Sequence, residues 1–556
     1  MQKPLPIGIS DFQELIEGGY VYVDKSLFIQ ELVERKIKIA FIPRLRRFGK
    51  TLNLSMLRYF FEKSRTSTSH LFESLKVWKN GECRALQGRF PVIFLSLKDV
   101  KFSSWEETFN ALAGLIAAEF GRHQYLMEGE TLNEAEKQVY TQVFLQKAHS
   151  SALARSLLDL SHWLHRYHQQ KVVLLIDEYD APAHAAYVGN YYDQLIGFLR
   201  NWLSAGLKDN PSLERGVLTG ILRIAKESIF SGLNNIETFT ILSEEFQDKF
   251  GLLEAEVKAL LAEYNLLDKL PQIREWYNGY RIGSCTGIYN PWSVLCCIRK
   301  KGVLAPYWVN TSDNLLVKQL FAQGSDDLKT GLEELLQGRT IAKPIEEGII
   351  FADLKTNSRA VWSLLVFSGY LTIASTPTYG VPCELRIPNA EVTELYRSMI
   401  LEWFEKSLEE PQYQLLLSSL TSGDLDTFSR IFQKFLLSAV SVFDVSSEQP
   451  EKIYHAFVLG MLIGLSDRYE VKSNRESGYG RYDVMLIPKN HKDLGIVMEF
   501  KKIDEFETID LESAAASALQ QIEQKCYAQE LHDRGVKRIL KLALAFKGKR
   551  VLIRSA

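Results

Sequence analysis

An apolar run, Ile37 to Ile42, leads into Arg44-Leu45-Arg46-Arg47-Phe48-Gly49-Lys50-Thr51, and Leu52-Asn53-Leu54-Ser55-Met56-Leu57 follows with helical spacing. A strand, a glycine-containing turn and a helix opening on Lys-Thr constrain this part of the chain to a phosphate-holding loop. In that geometry the backbone N–H groups of Arg47, Phe48 and Gly49 at the helix start face phosphate oxygens. Lys50 reaches the outer phosphates and the Thr51 hydroxyl ligates Mg²⁺. Arg44 stands where the usual pattern has its first glycine, so the match is partial.

A second apolar run, Val172-Val173-Leu174-Leu175-Ile176, ends in Asp177-Glu178. Read as a buried strand, its tip delivers Asp177 toward Mg²⁺ and Glu178 toward an attacking water. The alternative is that Asp177 to Asp180 merely caps the strand. A third strand, Gly216 to Ile224, offers Thr219 and Arg223 as groups that sense a terminal phosphate. Strands at Ile37–Ile42, Pro91–Leu97, Val172–Ile176 and Gly216–Ile224 alternate with helical stretches, which predicts an α/β fold with a largely parallel sheet and a helical insertion over Ser103–His168. ATP with Mg²⁺ is the cofactor these motifs imply.

Gly8-Ile9-Ser10-Asp11-Phe12, Tyr22-Val23-Asp24-Lys25-Ser26, the run Arg46 to Leu57, Ile176 to Asp180 and Ile229 to Asn235 resemble the bacterial AAA-ATPase-like family. Trp276-Tyr277-Asn278-Gly279-Tyr280, Tyr289-Asn290-Pro291-Trp292-Ser293 and Ser368-Gly369-Tyr370-Leu371-Thr372 resemble it too, so the likeness spans residues 5–375. Members usually read Arg-Pro-Arg-Arg-Phe-Gly-Lys, which makes the arginine at the first glycine position the family's own variant. Leu45 replaces their proline. The resemblance implies a P-loop NTPase fold of AAA type.

A different chemistry lies near the C-terminus. Asp483 sits in the apolar run Arg481 to Ile487, and Glu499-Phe500-Lys501 closes the run from Ile496. Residues two apart on a strand share a face, so Glu499 and Lys501 project together, and a hairpin-like return brings Asp483 beside them. Two carboxylates and the Phe500 carbonyl are hard ligands for Mg²⁺, while Lys501 orients a nucleophile or offsets transition-state charge. A surface aspartate and an exposed Glu-Lys pair is the plainer alternative. The order helix (Ile453–Leu465), three strands, helix (Leu511 to Glu530) and terminal hairpin, with Arg-Glu-Ser-Gly-Tyr-Gly-Arg-Tyr-Asp before the Glu-x-Lys strand, resembles the PD-(D/E)XK nuclease domain. That likeness covers residues 440–550. Glu476 is a further acid, and Gln521 with Lys525, one helical turn apart, could face the same site.

The expected organisation is a P-loop domain over 1–253, a mainly helical lid-like or winged-helix-like module over 254–390, a helical connector over 391–445 and a restriction-endonuclease-like α/β domain over 446–556. A net charge of −2 excludes a generally basic nucleic-acid-coating protein. The basic residues bunched between Lys537 and Arg554 read as a solvated face or a DNA-facing one. Six scattered cysteines without a C-x-x-C pair, and no apolar stretch long enough to span a bilayer, lead to the expectation of a reduced, cytoplasmic protein off the membrane. His162, His165 and His168 lack an acidic or thiol partner and are discounted as a zinc site. The functional expectation is an ATP-binding ATPase carrying a Mg²⁺-dependent nuclease that acts on nucleic acid, DNA in the first place, with homo-oligomerisation open. The rival is a nucleotide switch whose nuclease-like domain does not cleave.

Overall fold

The computed structural model describes all residues other than 1, 223–234, 309–325, 337, 349–353, 355–356, 376–380, 408–409, 440–457, 459–460, 466, 478–479, 504–508 and 549. The chain forms two compact units, Met1–Asn310 with Ala342–Glu391, and Thr311–Ile341 with Val392–Ala556.

The first unit is built on five strands, β1 (Ile39–Pro43), β2 (Val92–Ser96), β3 (Val172–Asp177), β4 (Leu213–Gly220) and β5 (Glu237–Thr238). They lie in the order β2-β3-β4-β1-β5 with every pair parallel. This is the parallel sheet of a P-loop NTPase. Strands β1 and β3 are buried along their whole length, as continuous aliphatic runs must be when helices cover both faces. The insertion between β2 and β3 is helical as expected, with helices Trp105–Arg122, Glu134–Phe144 and Ser150–His168.

Edge strand β2 is closed by a side chain. The buried Glu119 carboxylate accepts the Phe94 N–H at 3.0 Å, filling a ladder position that would otherwise be open. Burial pushes that carboxyl up, but the His123 hydrogen bond and the Arg122 charge hold it below its ordinary value. The three discounted histidines do not converge: His165 bonds Ser212 Oγ at 3.0 Å and His168 bonds the Tyr125 hydroxyl at 2.8 Å.

Strand β4 stops at Gly220, short of the expected Ile224. The backbone N–H groups of Ile221 and Leu222 go to the Asp180 carboxylate at 3.0 and 2.8 Å, and Tyr179 donates to the Leu222 carbonyl at 2.7 Å. Side chains from the β3 tip thus replace a strand partner.

Beyond β5 the chain is mainly helical, with helices Glu254–Glu263, Leu270–Tyr277, Pro291–Arg299 and Ser358–Ser368. It also carries strands the sequence reading left out. Tyr280, read as part of a connector, starts the hairpin β6 (Tyr280–Ile282) and β7 (Cys285–Ile288). Strands β8 (Ile341–Lys343), β9 (Thr372–Ile373) and β10 (Cys383–Arg386) form a small sheet in the order β8-β10-β9. Tyr277, Tyr280, Tyr289 and Trp308 are buried, so most of this aromatic concentration is core.

The second unit holds a five-stranded sheet of β11 (Tyr469–Ser477), β12 (Gly480–Pro488), β13 (Gly495–Lys502), β14 (Ile539–Lys547) and β15 (Arg550–Ser555), in sequential order. Only β13 and β14 pair in parallel. One face packs on helices Glu410–Ser422 and Leu425–Ala439 through Leu416, Phe428, Phe432 and Phe435 against Val484, Met498 and Leu542. Against the other lies helix Leu511–Gln524. Its Ala514, Ala515 and Ala518 meet Ala543 and Ala545, small residues that let helix and sheet approach closely.

That helix was expected to run to Glu530. It ends at Gln524, Cys526 takes a left-handed φ of +52°, and a short helix Gln529–Asp533 follows. A left-handed residue just past the last turn terminates a helix, and the reversal directs Tyr527 back against it. The expected helix Ile453–Leu465 lies largely outside the described residues. Among the described residues, no helix is long and apolar enough to cross a membrane. All six cysteines are free.

Gly279 shows how tightly the aromatic segments are assembled. It has φ of +105°, and a Cβ there would drive into the Pro388 carbonyl. Gly279→Ala is expected to destabilise the first unit by about 3 kcal/mol, from backbone strain plus collision. Urea unfolding of the variant against wild type checks this.

Candidate functional site

The phosphate loop joins β1 to helix Lys50–Phe61 through two left-handed residues, Arg47 (φ +61°) and Gly49 (φ +82°). Gly49 is the helix N-cap. A left-handed arginine is strained, and such strain persists only where surrounding contacts impose it. Those contacts are present. The Arg47 guanidinium lies 4.3 Å from the centre of the Trp292 ring, and Phe48 meets Tyr280 edge-on at 5.2 Å. Phe48 is therefore buried, and only its backbone is left for a ligand.

Arg44, at the position of the first loop glycine, does not point to a ligand either. It is fully buried, donating to the carbonyls of Pro43 (2.9 Å), Phe239 (2.6 Å), Glu245 (3.2 Å) and Phe246 (3.4 Å), with its guanidinium 5.0 Å from the Phe250 ring centre. Burial lowers its pKa to about 9. Where other loops use a glycine for space, this one uses an arginine to tie β1 to the segment after β5.

Lys50 is buried, and its ammonium donates to the Leu45 carbonyl at 3.2 Å. Burial draws its pKa below the ordinary lysine value, against the opposing pull of Glu178, Asp177 and Asp180. The order β3-β4-β1 brings the tips of three strands together at the carboxyl edge of the sheet, where open α/β folds bind ligands. Asp177 is fully buried there. Its Oδ1 accepts from the Thr219 hydroxyl at 2.6 Å, and its Oδ2 has no donor among the described residues. Burial pushes the carboxyl up, opposed by the hydroxyls of Thr219 and Thr51. A buried oxygen without a donor, beside a threonine hydroxyl, is the donor set a hard cation requires. Glu178 follows with φ of +47°. Lys50, Thr51, Asp177, Glu178 and Thr219 are thus gathered at one edge; Arg223 lies outside the described residues. Asp24 and Lys25 serve elsewhere, Asp24 accepting the Lys76 N–H and Lys25 forming a buried ion pair with Glu256 at 2.7 Å.

Sequence reasoning passed over Asp180 as a turn residue. It is buried, and desolvation pushes its pKa up to about 6. A carboxyl raised above its unfolded value costs stability once ionised, so the deficit is absent below about pH 4 and complete above pH 6. Asp180→Asn keeps an acceptor for Ile221 and Leu222. In nucleotide-free protein its stability relative to wild type is expected to rise by about 3 kcal/mol between pH 4 and pH 7. Urea unfolding across that range measures it, and a flat difference would contradict the assignment.

In the second unit, pairing of β12 with β13 runs from Leu486/Ile496 to Val484/Met498 and stops at Asp483. There the Asp483 carboxylate accepts the Phe500 N–H at 2.7 Å. Glu499 is buried, and burial together with the neighbouring Asp483 charge raises its pKa. Lys501 Nζ lies 3.6 Å from Glu499 Oε1, while Glu499 Oε2 has no donor among the described residues. Gln521 joins the groups: its Oε1 accepts from Lys501 at 2.8 Å, and its Nε2 donates to Glu499 Oε1 and to the Tyr527 hydroxyl at 3.1 Å.

Asp483, Glu499, Lys501 and Gln521 are therefore brought together. Lys525 caps the helix and lies beside Gly480, where a Cβ would sit 3.3 Å from its Cδ and 3.2 Å from the Tyr527 hydroxyl. For Glu476 the backbone pairs with Arg481, and its side chain is outside the described residues. Tyr527 was missed, because a helix continuing to Glu530 would have carried it elsewhere. Two of the bunched basic residues are paired, Lys541 with Glu523 and Arg554 with Glu512. Among the described residues no group of three or more His, Cys, Asp or Glu side chains forms a metal cage. The fit to a cation rests on two carboxylates and an orphaned oxygen.

Residues 6–230 match the family model described as Predicted AAA-ATPase, and residues 449–556 match that of the PD-(D/E)XK nuclease superfamily. The chain thus carries an N-terminal domain that matches the AAA-ATPase-like family model, fused to a C-terminal domain that matches the PD-(D/E)XK nuclease superfamily model. The chain is also similar to a relative over nearly the whole length of both. An uncharacterized protein in the vnfD 5′ region of Azotobacter chroococcum mcd 1 is 28% identical over 550 residues, covering 96% of this chain and 95% of its own.

Proposed function

We propose that the chain binds ATP with Mg²⁺ at the phosphate loop and cleaves phosphodiester bonds of DNA at the C-terminal carboxylate site, under control of the bound nucleotide. The observation that carries this reading is one chain with two sites of related design, each setting a lysine within the field of a buried carboxylate that keeps one oxygen without a donor among the described residues.

In the first unit, the backbone of Arg47, Phe48 and Gly49 and the Lys50 ammonium hold phosphates, with Thr51 and Asp177 as the Mg²⁺ ligands. Glu178 orients water, and Thr219 fixes Asp177. In the second unit, Asp483 and Glu499 hold the cation and Gln521 sets the direction of Lys501. A bound divalent cation supplies Lewis acidity and an acidified water. The Lys501 ammonium offsets charge developing on the phosphate, and Asp483 fixes the backbone at Phe500 while sharing the metal. Free cysteines fit a reduced, cytoplasmic setting.

Cleavage of labelled duplex and single-stranded DNA, with and without ATP, separates the two halves of the proposal. Wild type is expected to cut in Mg²⁺ with a rate that depends on ATP. Lys501→Ala should lose about 100-fold or more in rate. Lys50→Ala should lose ATP dependence while keeping the metal-dependent chemistry. Intact DNA under all conditions, with tight ATP binding, would replace cleavage by the switch reading.

A further inference from the structure

The match to the AAA-ATPase-like family ends at residue 230, yet three side chains of the phosphate loop seat on residues beyond it. Phe48 rests on Tyr280, and a Cβ at Gly251 would meet its ring at 3.0 Å. Leu45 sits over Gly369, where a Cβ would be 3.5 Å from its Cδ2. Arg47 lies over Trp292. Each of the three aromatic segments noted in the sequence thus touches the loop.

Leu45 and Phe48 end in apolar groups, so those contacts pack the loop and do nothing more. Arg47 differs. Its guanidinium is partly desolvated, lies over the Trp292 ring and feels the charge of Glu178, so it keeps a cation's capacity at the loop. The indole is itself fixed. Trp292 lies in the first turn of helix Pro291–Arg299, whose Asn290 cap accepts the Ser293 N–H at 3.3 Å, and its Nε1 donates to the Tyr307 carbonyl at 3.3 Å. The next residue, Ser293, donates to the buried Glu391 carboxylate, which also accepts the Trp308 N–H at 2.8 Å.

An arginine on a free loop loses rotamer freedom when it is fixed on a phosphate, and an aromatic face that already orders it removes part of that cost. We infer that Trp292 is a positioning residue of the nucleotide site, holding the Arg47 guanidinium ready for a phosphate oxygen, and that Gly251, Tyr280, Trp292 and Gly369 supply a wall of that site. The inference rests on the reading that the loop binds ATP. Replacing the ring by an aliphatic group should weaken ATP binding through Arg47 and through no other route.

The test is a double-mutant cycle on full-length protein, with the affinity for ATP–Mg²⁺ read by calorimetry. Trp292→Leu keeps apolar bulk without a π face, and is expected to weaken ATP about tenfold, the scale of a partly desolvated cation–π contact. Trp292→Phe should return affinity to within about threefold of wild type, since a phenyl face still attracts the cation. The pair Trp292→Leu with Arg47→Ala should bind no more weakly than Arg47→Ala alone. Wild type should also show an ATP-dependent change in tryptophan emission that Trp292→Phe lacks. Additive losses, or wild-type affinity in Trp292→Leu, would overturn the inference and leave ATP binding standing. Failure of the wild-type chain to bind ATP would remove both.

Discussion

A carboxylate removed from water must find donors or a cation, and in two such groups of this protein one oxygen has no donor among the described residues. Asp177 Oδ2 and Glu499 Oε2 are both buried and both lack a hydrogen-bond donor among the described residues. The cost of such an atom is of the order of 1–3 kcal/mol or more, which a stable fold has no reason to carry twice without return. Much of the surrounding structure serves to hold those oxygens where they are. Thr219 fixes the other oxygen of Asp177, and Gln521 fixes the other oxygen of Glu499.

The two sites solve one problem with different scaffolds. In the parallel sheet, strand order alone brings Lys50, Asp177 and Thr219 together, because β1, β4 and β3 are adjacent and end on the same edge. In the mixed sheet, the strands β12 and β13 separate at Asp483, and a side-chain hydrogen bond takes over from the ladder. A helix laid close over that face by alanines then lowers Gln521 onto the Glu-Lys pair. The lysines also differ. Lys50 is buried with its charge satisfied by a backbone carbonyl, while Lys501 is more open and satisfied by an amide that can turn.

What the sequence revealed and what it hid follow from range. Strand tips and motif residues were legible because a short apolar run followed by Lys-Thr or Asp-Glu specifies both local structure and chemistry. Gln521 was legible as a residue on a helix face; Lys525, one turn later, is the C-cap where that helix ends. Tyr527 depended on a single left-handed residue, Cys526, which no pattern announces. Arg44 looked like a defect in a glycine loop and is a buried tie whose partners lie almost two hundred residues away. The aromatic segments read as connectors, although their burial and their grip on Arg47 and Phe48 arise only when the chain folds back on itself.

The most direct test of the claim that these buried oxygens are built for a divalent cation is the melting of the full chain with and without Mg²⁺, with no nucleic acid present. A ligand that binds only the folded state stabilises it in proportion to its affinity. Mg²⁺ should raise the melting temperature of the wild-type C-terminal unit, and Glu499→Gln should abolish that rise while remaining folded. Equal melting with and without Mg²⁺ in the wild type, or an undiminished rise in Glu499→Gln, would contradict the account.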